Sequence, residues 1–488
     1  MPSPSLAQNI AAHAERQPSL TALVLDDERV TYGELAALVA LLSERIEAAD
    51  LPADRPVCVP ARKDPATVAL MLAAFGRPLV VLAPSAELGE DALDRICRQA
   101  RVSARLSAAA DGTLTVLRQA EDAAAADGFG RPAADAARLL LTTSGSTGTP
   151  KLVPIGTKAF DAFAAWAVEE FRITAADGAL SYAPLNFDLA LLDVWTFLGA
   201  GARVVLVDRD KATDAPYLRS LVADGTVTFV QGVPLLYRLL TEGEGSFERV
   251  REVVLTGDAV PRDLLERAAE SFPHARFHNV YGCTETNDSF LHPVDPRTVY
   301  EKHGRIPIGR PLPGVEATVL DDRGEELTGP GTGELVVRTP FQTTGYLQES
   351  LNPDVFLVRE GRVLYRTGDI VTRDADGLHH LEGRSDWQVK VRGVRTNLQE
   401  VESVLAQHPD VEEAAVVALP DPEAGVRLHA RLTKRAGAGL NSLTIRSYAG
   451  ANLPRHAIPS SVRISEIPLP RTSTGKPDRN KIKEEISA

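Results

Sequence analysis

The 488 residues include 44% hydrophobic and 24% charged side chains, enough to bury sizeable cores in about three domain-sized units, and on size alone the chain reads as an enzyme. Its 53 Lys+Arg against 66 Asp+Glu leave a net charge of −13, which argues against non-specific binding to nucleic acid or to acidic membranes. Cys58, Cys97 and Cys283 have no paired spacing, no stretch approaches 18 uninterrupted apolar residues, and the opening MPSPSLAQNI lacks the basic and apolar regions of a secretion signal. The expectation is a reduced, cytoplasmic protein without a C-x-x-C metal cluster or a membrane span.

In chain order, RPLVVLAP (77–84) predicts a buried strand, and the alanine-rich 121–138 predicts a surface connection. Leu139–Leu141 read as the end of another strand that empties into TTSGSTGTPK. That segment offers backbone N–H groups, five Ser/Thr hydroxyls up to Thr147, and one cation, Lys151. This is equipment for cradling phosphate oxygens, and equally the composition of a flexible turn. ARVVLVD (202–208), VTFVQGV (227–233) and REVVLTG (251–257) predict further buried strands, with helices over APYLRSLVADG and PRDLLERAAESF between them. Strands alternating with helices favour an α/β fold with parallel sheets.

Beyond about residue 300, GVEATVLDDRGEELTGPGTGELVVRT predicts a small β-rich subdomain, and YRTGDI (365–370) places Asp369 in a tight turn. A last α+β unit begins at Asp386, after a polar junction that reads as a linker or a hinge. It carries LPRTSTGKPDRNKI (469–482), where Lys476 stands alone in a Pro/Gly-bounded loop. The organisation expected is an N-terminal core over 1–385, β-rich from about 300 to 385, and a smaller mobile domain over 386–488.

The glycine-rich loop, NVYGCTET (279–286), YRTGDI, GRSDWQVKVRG (383–393) and the Lys476 loop follow one another in an order that resembles the adenylate-forming superfamily. Its members include acyl- and aryl-CoA ligases, luciferases and the amino-acid adenylation domains of nonribosomal peptide synthetases. The resemblance runs over essentially the whole chain, with GELVVRTPFQTTGYL (333–347) and LPRHAIP (453–459) also in family order. A Walker A loop needs G-x-x-x-x-G-K-[ST]; here Thr149 and Pro150 separate Gly148 from Lys151.

The resemblance implies roles residue by residue. Thr143, Ser144, Gly145, Ser146, Thr147, Gly148 and Lys151 would steady the β- and γ-phosphates of ATP. Tyr281 would stack on adenine, with Asn279 and Gly257 along its edges and Gly282 and Thr284 beside the nucleotide. Glu285 would bind Mg2+, Asp369 the ribose hydroxyls, and Arg384 the ribose and phosphate. Lys476 would be the catalytic lysine, and Asp386 the hinge for the last domain. One stretch departs from the family: R-G-x-R-I-E-L-G-E-I-E reads RGVRTNLQEVE here, with Gln399 for a glycine and Thr396 and Asn397 for an apolar-acidic pair. Glutamine fits at position 399 unless the backbone there needs a positive φ.

NFDLALLDVW (186–195) resembles the F-D-x-[SA] segment in which an aspartate, here Asp188, pairs with the α-ammonium of an amino acid; the bland alternative is a helix N-cap. Family offsets put Leu189, Leu192, Gln231, Val254, Thr256, Val280, Asp288 and Ser289 around the side-chain pocket. The leucines suggest a shallow pocket, similar to that of prolyl-adenylating enzymes. Gln231, Thr256 and Asp288 are more polar than that group would have, and Asp288 could hold a second amine or that of a β-amino acid. Neither a G-G-x-S carrier segment nor an H-H-x-x-x-D-G condensation segment is present. The expectation is therefore a free-standing enzyme of secondary-metabolite or antibiotic biosynthesis. It would activate a small or moderately polar amino acid and pass it to the phosphopantetheine thiol of a separate carrier protein. Free coenzyme A is the alternative acceptor, and a non-catalytic adenylate binder the alternative class.

Overall fold

Short strands that are apolar on both faces set the architecture, because a sheet of such strands must be covered on both sides. The structure, a computed structural model, describes residues 6–118, 137–143, 150–321, 323–384, 388–421, 425–435, 437–471 and 477–487. The larger sheet has nine strands in the order Arg310–Pro311, Asn287–Val294, Arg276–Cys283, Glu252–Thr256, Phe229–Gly232, Gly178–Ser181, Arg203–Leu206, Thr21–Leu25 and Glu28–Thr31. The six strands from Arg276–Cys283 to Thr21–Leu25 are mutually parallel, and the outer ones are antiparallel.

Alternation divides these strands between two cores. Val230, Val253 and Leu255 pack under the helices Ala215–Ala223, Pro234–Leu240 and Arg262–Ser271. Phe229, Val254 and Val280 point the other way, into a core shared with Val57, Val81 and Leu139 of a six-stranded sheet. The helix Pro65–Phe75 also joins that core and is buried on every side, which its continuous apolar sequence requires. Asp64 caps it by accepting the Thr67 N–H at 2.7 Å.

The predicted strand over 77–84 is reduced to Val81–Leu82. Pro78 and Pro84 flank it, and neither can donate to a ladder. The predicted connection at 121–138 lies outside the described residues apart from its last two. After residue 300, five strands from Glu316–Leu320 to His379–Arg384 form one sheet. Asp369 is not in a tight turn: it sits inside the long strand Arg362–Arg373, beside Gly368 at φ +69° and close to a register shift opposite Glu334–Val336. That is a bulge, which re-aims a side chain without ending the strand.

The chain divides into two compact units. One comprises Met1–Ala86, Cys97–Thr142 and Leu152–Gly383; the other comprises Arg384–Ala488 with Glu87–Ile96 and Thr143–Lys151. Within the second, Val411–Asp421, Gly425–Lys434 and Ser461–Ser465 make a three-stranded sheet packed on the helices Leu398–Ala406 and Ser442–Asn452. Arg392 and Gly393, at φ +52° and +79°, close the hairpin between Gln388–Val391 and Val394–Asn397, the two-residue turn that matches strand twist. The departures from the family pattern fit locally. Position 399 lies in the helix Leu398–Ala406, where the backbone needs no positive φ, and the Asn397 side chain accepts the Glu400 N–H at 3.3 Å as that helix begins.

Gly282 is where backbone proximity admits no side chain. A Cβ there would lie 2.1 Å from the Asn287 carbonyl oxygen across the antiparallel pair. Gly282→Ala is expected to cost about 2 kcal/mol or more, read as a lowered urea midpoint; an unchanged midpoint would refute this register.

Candidate active site

Several of the expected site residues, Asp188, Gln231, Thr256, Gly257 and Asp288 among them, lie at or just beyond the carboxyl ends of the parallel strands or beside them. From Gly178–Ser181 the chain crosses to Arg203–Leu206 on one side and then to Phe229–Gly232 on the other. The order reverses at that strand, and such a switch point opens a crevice at the carboxyl ends. The segment leaving Ser181 carries Asp188. Gln231 is the last but one residue of its strand; Thr256 ends the next, followed by Gly257 at φ +82°. Register pairs Gln231 with Val254, Thr256 with Val280 and Gly282 with Asp288. These six therefore share the sheet face that carries Phe229, Val254 and Val280.

Ser289 does not share that face. Pairing jumps from Tyr281–Phe290 to Gly282–Asp288, so Ser289 is the extra residue of a bulge. It is 0% exposed, and its hydroxyl donates to Thr286 Oγ1 at 3.1 Å. Asn287, at φ +54°, accepts the Asp288 N–H with its own side chain, which sets the bulge.

Asp188 is half-buried and is not a helix N-cap, since Ala190 precedes the π-helical turn Leu191–Thr196. Its carboxylate accepts from the Thr284 hydroxyl and the Leu189 N–H. Burial first, and then the charge of Glu285, raise it above the usual carboxylate range. Asp288 is pushed up to about 7, by burial first and by the charge of Asp188 second. Leu189 is half-buried, whereas Leu192 packs into the core with Val254 and Val280. Gln231 is 4% exposed, and its Oε1 has no hydrogen-bond partner.

Two residues escaped the sequence reading. Lys63 Nζ donates to the Ser181 carbonyl oxygen at 2.5 Å, at the root of the Asp188 segment. Burial pulls Lys63 down to about 7 against the opposing attraction of Asp193, and burial pushes Asp193 up to about 7. Asp193 is 0% exposed within the π-helical turn, whose Leu191 carbonyl is satisfied by the Thr196 hydroxyl at 2.7 Å. π turns are frequent at functional sites. The available signal was a lone aspartate inside an apolar run, LLDVW, which needs a cation when buried.

Among the residues expected to meet the nucleotide, the Tyr281 hydroxyl donates to Asp369 Oδ2, and its ring meets Phe290 edge-on at 5.8 Å. Asn279 spends an amide N–H on the Pro307 carbonyl at 2.7 Å, leaving its oxygen for other donors. Glu285 is 1% exposed; Tyr346 donates its hydroxyl to Oε1 at 2.6 Å. Tyr346, too, was not anticipated. Thr143 ends the strand Leu139–Thr143 with a buried hydroxyl lacking a partner among the described residues, Lys151 begins Lys151–Ile155, and Arg384 ends His379–Arg384. Ser144, Gly145, Ser146, Thr147, Gly148, Asp386 and Lys476 lie outside the described residues.

Two outcomes test these electrostatics. Between about pH 4, where an unfolded aspartate ionises, and about pH 7, folded Asp288 retains a proton that the unfolded chain has lost, so stability falls as pH rises through that window. Asp288→Asn should flatten the fall and exceed the wild type at about pH 7.5 by urea unfolding; parallel pH profiles would refute the assignment. Lys63→Met, which strands the buried Asp193, should cost about 3 kcal/mol, and Lys63→Met with Asp193→Leu should recover most of it. Additive losses in that double-mutant cycle would show that the two charges do not interact.

Comparison with known proteins establishes the family. The AMP-binding enzyme family matches residues 10–347, and the AMP-binding enzyme C-terminal domain matches residues 400–476. The chain is 33% identical over 351 residues to the L-proline--[L-prolyl-carrier protein] ligase of Streptomyces coelicolor, a match covering 70% of this chain and 65% of that protein. It is 27% identical over 504 residues to the D-alanine--D-alanyl carrier protein ligase of Bacillus licheniformis, covering 99% of each. The solved amide bond synthetase McbA of Marinactinospora thermotolerans has a TM-score of 0.81 over 99% of both chains at 24% identity, which shows a common fold. The chain belongs to the AMP-binding enzyme family and is an ATP-using ligase with the mixed α/β fold of the adenylate-forming enzymes.

Proposed function

We propose that the protein activates an amino acid as its aminoacyl adenylate and then passes the aminoacyl group to the phosphopantetheine thiol of a carrier protein. The observation that carries this reading is Asp188, a carboxylate held by Thr284 at the switch point of the parallel sheet, with no lysine or arginine paired to it among the described residues. An α-ammonium removed from water needs such a partner. The two relatives named as amino acid–carrier protein ligases support the choice of substrate and acceptor.

In the first step a substrate carboxylate oxygen attacks the α-phosphorus of ATP, the O–P bond forms in line, and the bond to pyrophosphate breaks. Charge spreads over the equatorial oxygens, so positioning and cationic stabilisation do most of the work. Lys476 supplies the cation. Asp369, oriented by Tyr281, accepts from the ribose hydroxyls, with Arg384 nearby, and Asn279, Gly257, Gly282 and Thr284 border the adenine against Tyr281. The loop from Thr143 to Gly148, with Lys151, receives the leaving phosphates. Mg2+ fits at Glu285: a hard cation takes few protein carboxylates, and this one is buried and oriented by Tyr346. Bound there, the ion would neutralise phosphate charge. Residues 1–385 form the substrate-binding core and 386–488, hinged at Asp386, the domain that delivers Lys476. In the second step the carrier thiolate attacks the acyl carbon, the C–S bond forms, and AMP leaves. A reducing cytoplasm suits the three free cysteines, and no helix among the described residues is long and apolar enough to cross a membrane.

ATP–pyrophosphate exchange across the proteinogenic amino acids, β-amino acids, salicylate and a medium-chain fatty acid tests this reading. Exchange should require an amino acid. It should fall by roughly 10²-fold or more in Asp188→Ala and in Lys476→Ala. Exchange with salicylate or the fatty acid alone would overturn the amino-acid assignment and point to coenzyme A as acceptor.

A further inference from the structure

Asp188 accounts for one substrate cation, and the pocket holds a second carboxylate that this does not satisfy. Asp288 stands opposite Gly282, where no side chain intervenes, on the sheet face shared by Gln231 and Thr256. Among the described residues it has no hydrogen bond or ion pair through its side chain, and the charge acting on it is that of Asp188, which repels it. The bulge at Ser289 and the Asn287 cap hold Asp288 in that place rather than letting it turn to solvent. Gln231, 4% exposed on the same face with its Oε1 unpartnered, is an independent sign that the pocket awaits a donor.

We propose that the substrate is a short diamino acid, its α-ammonium on Asp188 and its side-chain ammonium on Asp288. The inference rests on the assignment of Asp188 above and goes beyond it in naming the side chain. An uncharged side chain would leave Asp288 either ionised beside Asp188 or protonated, and both leave a half-buried acceptor unused. An ammonium brings three donors and one positive charge, which offsets the repulsion between the carboxylates. The charge of Asp188 acts on Asp288, so two ammonium groups bound to them lie close together, which a short side chain allows. A 2,3-diaminopropionate or 2,4-diaminobutyrate side chain keeps its two ammonium groups that close, whereas the lysine side chain carries them further apart.

The test is ATP–pyrophosphate exchange with L-2,3-diaminopropionate, L-2,4-diaminobutyrate and L-lysine against L-alanine, L-serine, L-proline and β-alanine, with salicylate as a non-amino acid. The expected result is a kcat/KM for one short diamino acid roughly a hundredfold above that for serine or alanine, the ratio collapsing in Asp288→Asn chiefly through KM. The wild-type panel decides the question even if a variant fails to fold. Preference for alanine, serine, proline, lysine or β-alanine would overturn the diamino assignment and leave amino-acid activation standing. An Asp288→Asn enzyme with unchanged preference would overturn it as well. Exchange with salicylate alone, or with nothing on the panel, would overturn the assignment of Asp188 and this proposal together.

Discussion

Negative charge gathered at the carboxyl edge of a parallel sheet is the constraint on which the rest of the site depends. Asp188, Glu285 and Asp288 belong to that edge, and Glu285 and Asp288 each act electrostatically on Asp188 or feel its charge. Burying such groups near one another costs stability unless a ligand brings positive charge. The proximity of these carboxylates is therefore a cost to the fold, which a cationic ligand bound between them would offset.

Local irregularities hold these groups in position. The π turn after Asp188, the bulge at Ser289 and the bulge beside Asp369 each interrupt a regular element where a functional side chain must be aimed. Each interruption is satisfied by its own neighbours: the Thr196 hydroxyl takes the Leu191 carbonyl, the Asn287 side chain takes the Asp288 N–H, and Thr367 Oγ1 takes the Asp369 N–H at 3.0 Å. Sheets buried on both faces tolerate few unsatisfied backbone groups, so irregular geometry persists only where a side chain substitutes for the missing ladder bond.

Supporting side chains orient the residues proposed to meet substrate. Lys63 ties down the end of the strand that leads to Asp188, Tyr281 orients Asp369, and Tyr346 orients Glu285. Lys63 and Tyr346 need not touch a ligand to matter. A carboxylate with one oxygen already engaged presents the other in a fixed direction, so less ordering is left for the moment of binding.

The amino-acid sequence by itself determined the alternation of strands and helices, the β-rich stretch after residue 300 and the family. These signals are local: apolar runs such as REVVLTG, glycine-bearing loops and motif order are each contained in a few consecutive residues. It also placed Asp188, because an aspartate after NF in that segment is a short, contiguous signal. Only the tertiary structure decided that Asp369 lies in a bulged strand, that Ser289 turns away from Asp288, and that Lys63 meets the segment carrying Asp188. Those facts depend on pairing between residues far apart in the chain, Glu334 with Ile370, Gly282 with Asp288 across a bulge, and Lys63 with Ser181. A one-residue slip in register moves a side chain to the opposite face, and register is a property of two strands together, which neither strand's own residues specify.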